Sequence, residues 1–220
     1  MKILEVCTFS AGGCGVWARV KRESSLLAKA GHKVQIFTTN KEKGTWRNVL
    51  LKDTYEQVPI QRFPAWKLGG ESFMFWKFTK EAKAFHPDLI IVHSYRHTHT
   101  TQALKIAKEL KCKVFLVTHA PFNRDDTRTF PQKIAVGFYD SIVGKRTINK
   151  FDKILAISKW EVPYLLALGL KKENITYSPN GLPEEFFKNP IKEGKPNTII
   201  YMGRIAPIKN FEVVLQALAL

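Results

Sequence analysis

Three short stretches set open backbone or reactive side chains directly after an apolar, strand-like run. The first is Ser10-Ala11-Gly12-Gly13-Cys14-Gly15, ahead of a helical pattern. Glycines there let the backbone approach a phosphate, and the free N–H groups of the following helix carry positive potential. The glycines fall at 12, 13 and 15, which is not GxGxxG, and the second strand closes on Thr38-Thr39-Asn40-Lys41 rather than on an acid. A dinucleotide is therefore disfavoured. The second stretch, Gly203 to Asn210, carries Arg204 and Lys209. Arginine offers planar two-point hydrogen bonding and lysine a point charge, so together they can clamp a diphosphate. The third, Val117-Thr118-His119-Ala120-Pro121-Phe122, puts His119 at a strand end, where it can hold a hydroxyl or move a proton. Each stretch also has a plainer reading: a tight turn, two surface cations, a structural histidine.

Other side chains invite chemistry less directly. His93, His97 and His99 alternate, but no acid or cysteine sits among them, so no metal site is expected. His93, at the end of an apolar run, and Ser158, after another, are candidates for the acceptor side of a cleft. Ser158 lacks the glycine-flanked elbow of a nucleophile. Between Phe73 and Phe85 a helical reading sends Phe75, Phe78, Ala82 and Phe85 to the core. It leaves Phe73, Trp76, Lys77 and Lys80 together on the far side, which suits either a membrane or acceptor surface, or packing beneath the irregular segment 39–70.

The elements that must position these residues are legible as alternating patterns. Strands are expected at Ile3–Cys7, Val34–Thr38, Leu89–His93, Val114–Thr118, Ile154–Ile157, Ile175–Ser178 and Ile199–Met202, with helices over Val16–Ala30 and Thr101–Leu110. Continuous apolar runs such as Leu89-Ile90-Ile91-Val92 suit strands covered on both faces. The fold class is α/β: a doubly wound, mostly parallel, Rossmann-like sheet with helices on both faces. Three prolines between Leu182 and Pro196 mark a linker, so residues 1–182 are read as one domain, 183–196 as the linker and 197–220 as the first strand and helix of a second, cut short. Net charge is +16 over 220 residues, which fits a phosphate-bearing ligand, an anionic membrane surface or nucleic acid. Nucleic acid is disfavoured because no clustered basic stripe or recognition motif accompanies the charge. No apolar run is long enough to span a bilayer, no signal peptide opens the chain, and three cysteines without metal or redox spacing fit a reducing cytoplasm.

Taken in order, several stretches resemble a known family. They are Gly12-Gly13, Ala30-Gly31-His32-Lys33-Val34, Pro87-Asp88-Leu89-Ile90-Ile91-Val92-His93, Val117-Thr118-His119, Asp152 to Lys159, Pro179-Asn180-Gly181-Leu182, and Tyr201-Met202-Gly203-Arg204 with Lys209. The chain resembles the N-terminal part of retaining glycosyltransferases of family 4, the GT-B group that includes sucrose, trehalose and glycogen synthases. The resemblance implies two Rossmann-like domains across a cleft, with a UDP- or GDP-linked sugar as donor and a sugar or lipid-linked acceptor, and with neither cofactor nor metal. It implies that Arg204 and Lys209 neutralise the donor diphosphate, that the Gly12-Gly13 backbone approaches the same phosphates, and that His119 contacts the transferred sugar. The family's Glu-x7-Glu segment has no counterpart before Leu220, so the chain alone is expected to be inactive and to need the rest of a second domain or a partner chain. Location is expected in the cytoplasm, with peripheral contact to the inner face of a membrane as one option. The alternative is a non-catalytic basic α/β module that binds an anionic lipid, a saccharide or a partner chain.

Overall fold

The computed structural model describes residues 1–122, 128–188, 194, 196–203 and 210–219. Two compact units divide the chain. The first comprises Met1–Phe122 and Gly137–Asn180, and the remaining described residues form the second.

In chain order the elements are β1 (Lys2–Val6), α1 (Gly15–Lys29), β2 (Lys33–Thr39), β3 (Lys52–Tyr55), β4 (Val58–Phe63), β5 (Trp66–Lys67), β6 (Met74–Phe75), α2 (Thr79–Phe85) and β7 (Leu89–His93). There follow α3 (Thr98–Leu110), β8 (Lys113–Val117), α4 (Phe130–Tyr139), α5 (Lys145–Thr147), β9 (Lys153–Ala156), α6 (Val162–Ala167), β10 (Ile175–Tyr177), α7 (Glu185–Lys188) and α8 (Phe211–Leu218). Eight strands join in one sheet in the order β10-β9-β8-β7-β1-β2-β4-β3. Every pairing is parallel except β3 with β4. Strand order reverses between β1 and β7. The loops leaving those two strands diverge there, and that crevice is where an open α/β sheet binds ligands.

Strand periodicity sorts β1 between two cores. Leu4 and Val6 face the layer of α2, α3 and α6, where Phe78, Ala82, Ala103, Ile106 and Leu165 are buried. Ile3 and Cys7 face α1, against Val20 and Leu27. Glu5 lies between them in this alternation, so β1 turns a carboxyl into an otherwise apolar interface. α1 stops at Gly31, whose φ of +86° and N–H bond to the Ala28 carbonyl close the helix in a conformation suited to glycine.

Six of the seven expected strands form within one residue of their predicted ends, and both expected helices form. Two expectations are corrected. No helix starts at Phe73; residues 74–78 alternate instead, with Met74, Trp76 and Phe78 buried and Lys77 exposed. The period is two, that of an extended segment, and helix α2 begins only at Thr79. Trp76 therefore lies in the core, 4.5 Å from Phe78 and 5.6 Å from Phe63 between ring centres, and is no part of a surface patch. Phe73, Lys77 and Lys80 do remain exposed. The segment 39–70 is also more regular than its glycines and prolines suggest, supplying β3, β4 and β5.

In the second unit Ile199 to Met202 form no strand. A strand needs a neighbour for its ladder, and none is present among the described residues of that unit; Ile200 and Met202 are 79% and 88% exposed. Helix α8 follows, its Phe211 ring 4.9 Å from Tyr201. Among the described residues no helix is long and apolar enough to cross a membrane.

Candidate functional site

The loops leaving β1, β7 and β8 meet at the switch point and enclose a cavity of about 190 Å³ lined in part by Thr8, Phe9, Cys14, Lys43, His97 and His119. A wider depression of about 790 Å³ lies at the amino ends of β2 and β4, the wrong edge of a parallel sheet for ligand binding.

The loop after β1 is held in place by strand-like contacts with residues 41–44. Lys43 N donates to the Ala11 carbonyl at 3.1 Å, and Gly12 bridges to Lys43. Gly12 has φ +79°, and a Cβ there would lie 2.4 Å from the Lys43 carbonyl oxygen, so only glycine fits. Gly13 is exposed with open space around its Cβ position, which leaves its backbone accessible. Lys43 also pairs with Glu71 at 3.1 Å and lies over Phe9.

The loop after β8 is strained. His119 and Ala120 have φ of +58° and +53°, a region that non-glycine residues occupy at a cost of about 1 kcal/mol or more each. Two side chains over-determine the turn. The buried Glu161 carboxylate accepts from the Thr118 hydroxyl and, at 3.1 Å, from Ala120 N. Arg96 grips the Asp140 carboxylate with two nitrogens and donates to the Pro121 carbonyl at 2.7 Å. The turn aims the His119 ring at the cavity.

His93 does not line that cavity. It is fully buried behind His119, with Nδ1 3.0 Å from His119 Nε2 and Nε2 2.7 Å from Glu5 Oε2. Its place in the middle of the sheet, beside β1, leaves it no route to the surface. Ser158 is committed as well: its N–H and hydroxyl donate to Glu161 Oε1 at 2.9 and 3.1 Å, the N-terminal cap of the turn leading into α6. His97 Nδ1 lies 3.3 Å from the Thr8 hydroxyl, and His99 Nε2 donates to the His93 carbonyl at 2.8 Å. The three alternating histidines thus serve three different partners. Arg204 and Lys209 lie outside the described residues.

Sequence reasoning passed over the groups behind His119. Glu23 on α1 sits beside Glu5 and His93, with ligand atoms of all three within 4.8 Å. The positive charge at this acidic pair comes from Arg19, which binds Glu23 at 3.0 Å, the Ser178 carbonyl at 2.7 Å and Asn180 at 3.2 Å. Two signals were present: a lone acid inside an apolar strand at Glu5, and the Ser-x-x-Glu capping pattern at Ser158 and Glu161.

Burial dominates the electrostatics. It pushes the Glu5 carboxyl up to about 8, with Arg19 pulling the other way. It lowers His93 and His99 to about 4 and His97 to about 3, and it lowers His119 further, with neighbouring His93 adding to the effect. Each lowered histidine binds fewer protons folded than unfolded below its ordinary 6.5, so its contribution to stability is lost as pH falls from there toward 4. Glu5 works oppositely: its folded form keeps a proton that the unfolded chain releases, so its contribution declines as pH rises from 4.5 to 8. Each group contributes a slope of about 1.4 kcal/mol per pH unit in its window. Four histidines outweigh the two carboxyls that burial raises, Glu5 and Glu23, so urea denaturation should show greatest stability near pH 6.5, a steep loss by about pH 5 and a shallow decline toward 8. A midpoint unchanged between about pH 5 and 6.5 would contradict buried neutral histidines.

Residues 14–186 match a family model described as Glycosyltransferase Family 4. Comparison with curated proteins gives no match. Among solved structures, the chain is similar to Anabaena HepE in complex with UDP-glucose, with TM-score 0.58 and 15% identity over 86% of this chain and 46% of that one. A sucrose-phosphate synthase from Thermosynechococcus elongatus gives TM-score 0.56 and 16% identity over 85% of this chain and 93% of that one. An E. coli protein described as trehalose-6-phosphate, bound with UDP-2-fluoro glucose, gives TM-score 0.54 and 13% identity over 87% of this chain and 52% of that one. At these identities the likeness is one of fold, and the chain spans about half the length of HepE and of the E. coli protein.

Proposed function

Because the chain belongs to glycosyltransferase family 4, we propose that it forms the acceptor-side part of an enzyme that moves a sugar from a UDP- or GDP-linked donor to an acceptor, with retention at the anomeric carbon. The observation that carries this reading is the His119–Ala120 turn, held at strained angles and facing a small cavity lined by Cys14, next in sequence to the accessible backbone of Gly13. Strain of this kind persists only where other groups enforce it, and it gathers at functional sites.

In this reading the sugar occupies the cavity against His119, and the diphosphate lies toward Gly13 and the amino end of α1, where free N–H groups favour negative charge. Arg204 and Lys209 neutralise the leaving diphosphate, the electrostatic work that a metal does elsewhere. HepE and the E. coli protein, solved with UDP-sugars, support the donor class. The acceptor is a sugar or a lipid-linked phosphate.

The test is nucleoside diphosphate release from UDP- and GDP-sugars by the protein carrying a complete donor-binding unit, with proton NMR following the anomeric signal of the product. A product of the donor's own configuration is expected. Inversion would remove the retaining mechanism. Absence of release with every donor would leave the basic binding module, which the +16 charge favours, as the better reading.

A further inference from the structure

The line Glu5–His93–His119 does more than fill the core. We propose that Glu5 is a positioning residue that fixes, through His93, which ring nitrogen of His119 carries its proton and so whether His119 offers the cavity a donor or an acceptor. The proposal rests on the reading of His119 as a sugar contact for its use, but not for its existence.

With His93 neutral, as its full burial requires, the geometry allows two ordered arrangements. Glu5 Oε2 and His93 Nε2 are 2.7 Å apart, and His93 Nδ1 and His119 Nε2 are 3.0 Å apart. Each gap holds one proton. When the Glu5 carboxyl is protonated, it donates to His93 Nε2, His93 Nδ1–H donates to His119 Nε2, and His119 keeps its own proton on Nδ1. Loss of one proton to solvent reverses both bonds. His93 Nε2–H then donates to the carboxylate, His119 Nε2–H donates to His93 Nδ1, and Nδ1 of His119 is left bare. The two states differ by that single proton, and His119 Nδ1 is the only nitrogen of the relay left over for the cavity.

The surroundings select the first state at neutral pH. Glu5, His93 and the strands that carry them are sealed from water, and the second Glu5 oxygen, Oε1, has no hydrogen-bond partner. An orphaned carbonyl-like oxygen in such a place costs far less than an orphaned carboxylate oxygen. The charged and titratable groups facing Glu5 are Glu23 and Arg19 from α1, His93 from β7 and Cys7 just past the end of its own strand. Arg19 is drawn away by Glu23, Ser178 and Asn180. His119 additionally faces His97. The carboxyl's preference for its proton up to about 8 agrees with this balance. His119 therefore presents N–H, a donor suited to a hydroxyl or ring oxygen of a neutral sugar.

Histidine-ring nitrogen NMR tests this on the 220-residue chain, without donor, acceptor or turnover, so that its failure and a failure of the enzymatic reading are separable. The wild type at pH 7 should show His119 as the Nδ1–H tautomer. Raising the pH above about 8 should move it to Nε2–H. Glu5→Gln, whose amide can only donate to His93 once its oxygen takes the Oε1 position, should hold the Nδ1–H form at both pH values. Glu5→Leu, apolar and therefore compatible with burial, should lose the single tautomer and give a mixture. A His119 that is Nε2–H at pH 7 in the wild type, or fails to reverse there with pH, overturns the proposal. So does a reversal retained in Glu5→Gln, or an unmixed Nδ1–H spectrum in Glu5→Leu.

Discussion

Replacing Glu161 with alanine should lower stability by roughly 3 kcal/mol and loosen the His119 turn with it. The carboxylate is fully buried and accepts from four donors: the Thr118 and Ser158 hydroxyls and the Ser158 and Ala120 N–H groups. Alanine leaves the two N–H groups of part-buried Ala120 and Ser158 without their partner, while the hydroxyls can rotate elsewhere. The loss is not larger, because removing the side chain also removes the cost of burying its charge. Glu161→Gln keeps the shape but turns an amide N–H₂ toward donors at one end, so about half the loss is expected. Urea denaturation of the two variants beside the wild type measures this. A change below about 0.5 kcal/mol in the alanine variant would mean that the turn is held by Arg96 and its partners alone.

The second large effect falls on chemistry rather than stability. His119→Ala should cost the fold about 1 to 2 kcal/mol, because it leaves the buried His93 Nδ1 without its partner while the backbone stays in the same strained region and the chain still folds. In the enzyme carrying a complete donor-binding unit, the same change should lower kcat/KM for transfer by about 100-fold, the scale of losing one well-placed group at the reacting sugar. The pairing of an intact fold with a slow enzyme is the point. Equal losses in stability and rate would make His119 a structural residue, and an unchanged rate would remove it from the sugar site.

The parallel sheet was readable because its strands are continuous apolar runs. Leu89 to Val92 could only be a strand covered on both faces, and its observed ends match the prediction. The glycine loop and His119 were readable for the same reason: each follows such a run, and a parallel sheet sends all of its carboxyl ends to one edge. Trp76 was misread because its neighbours satisfy two periods at once. Phe75, Phe78, Ala82 and Phe85 fit a helix, while Met74, Trp76 and Phe78 fit a strand, and the core beside Phe63 chose the second. Ile199 to Met202 carries strong strand propensity, yet propensity does not make a strand where no partner among the described residues of that unit completes the ladder. His93 and Ser158 were placed at the correct strand ends, but a strand end does not say how deep a residue lies or what occupies its polar atoms. Those are questions of tertiary contact. Glu5 is the opposite case: an acid in an apolar strand was visible from the start, and only the pairing of β1 with β7 shows that His93 is its partner.

Calorimetric titration of UDP- and GDP-sugars bears most directly on the claim that this is one side of a glycosyltransferase cleft. It should be run on the 220-residue chain, on a form completed by a second Rossmann-like unit, and on that form with Arg204→Ala. Binding by the completed form alone, weakened about tenfold or more by loss of the Arg204 guanidinium, is the predicted outcome. Heat from none of them would contradict the claim.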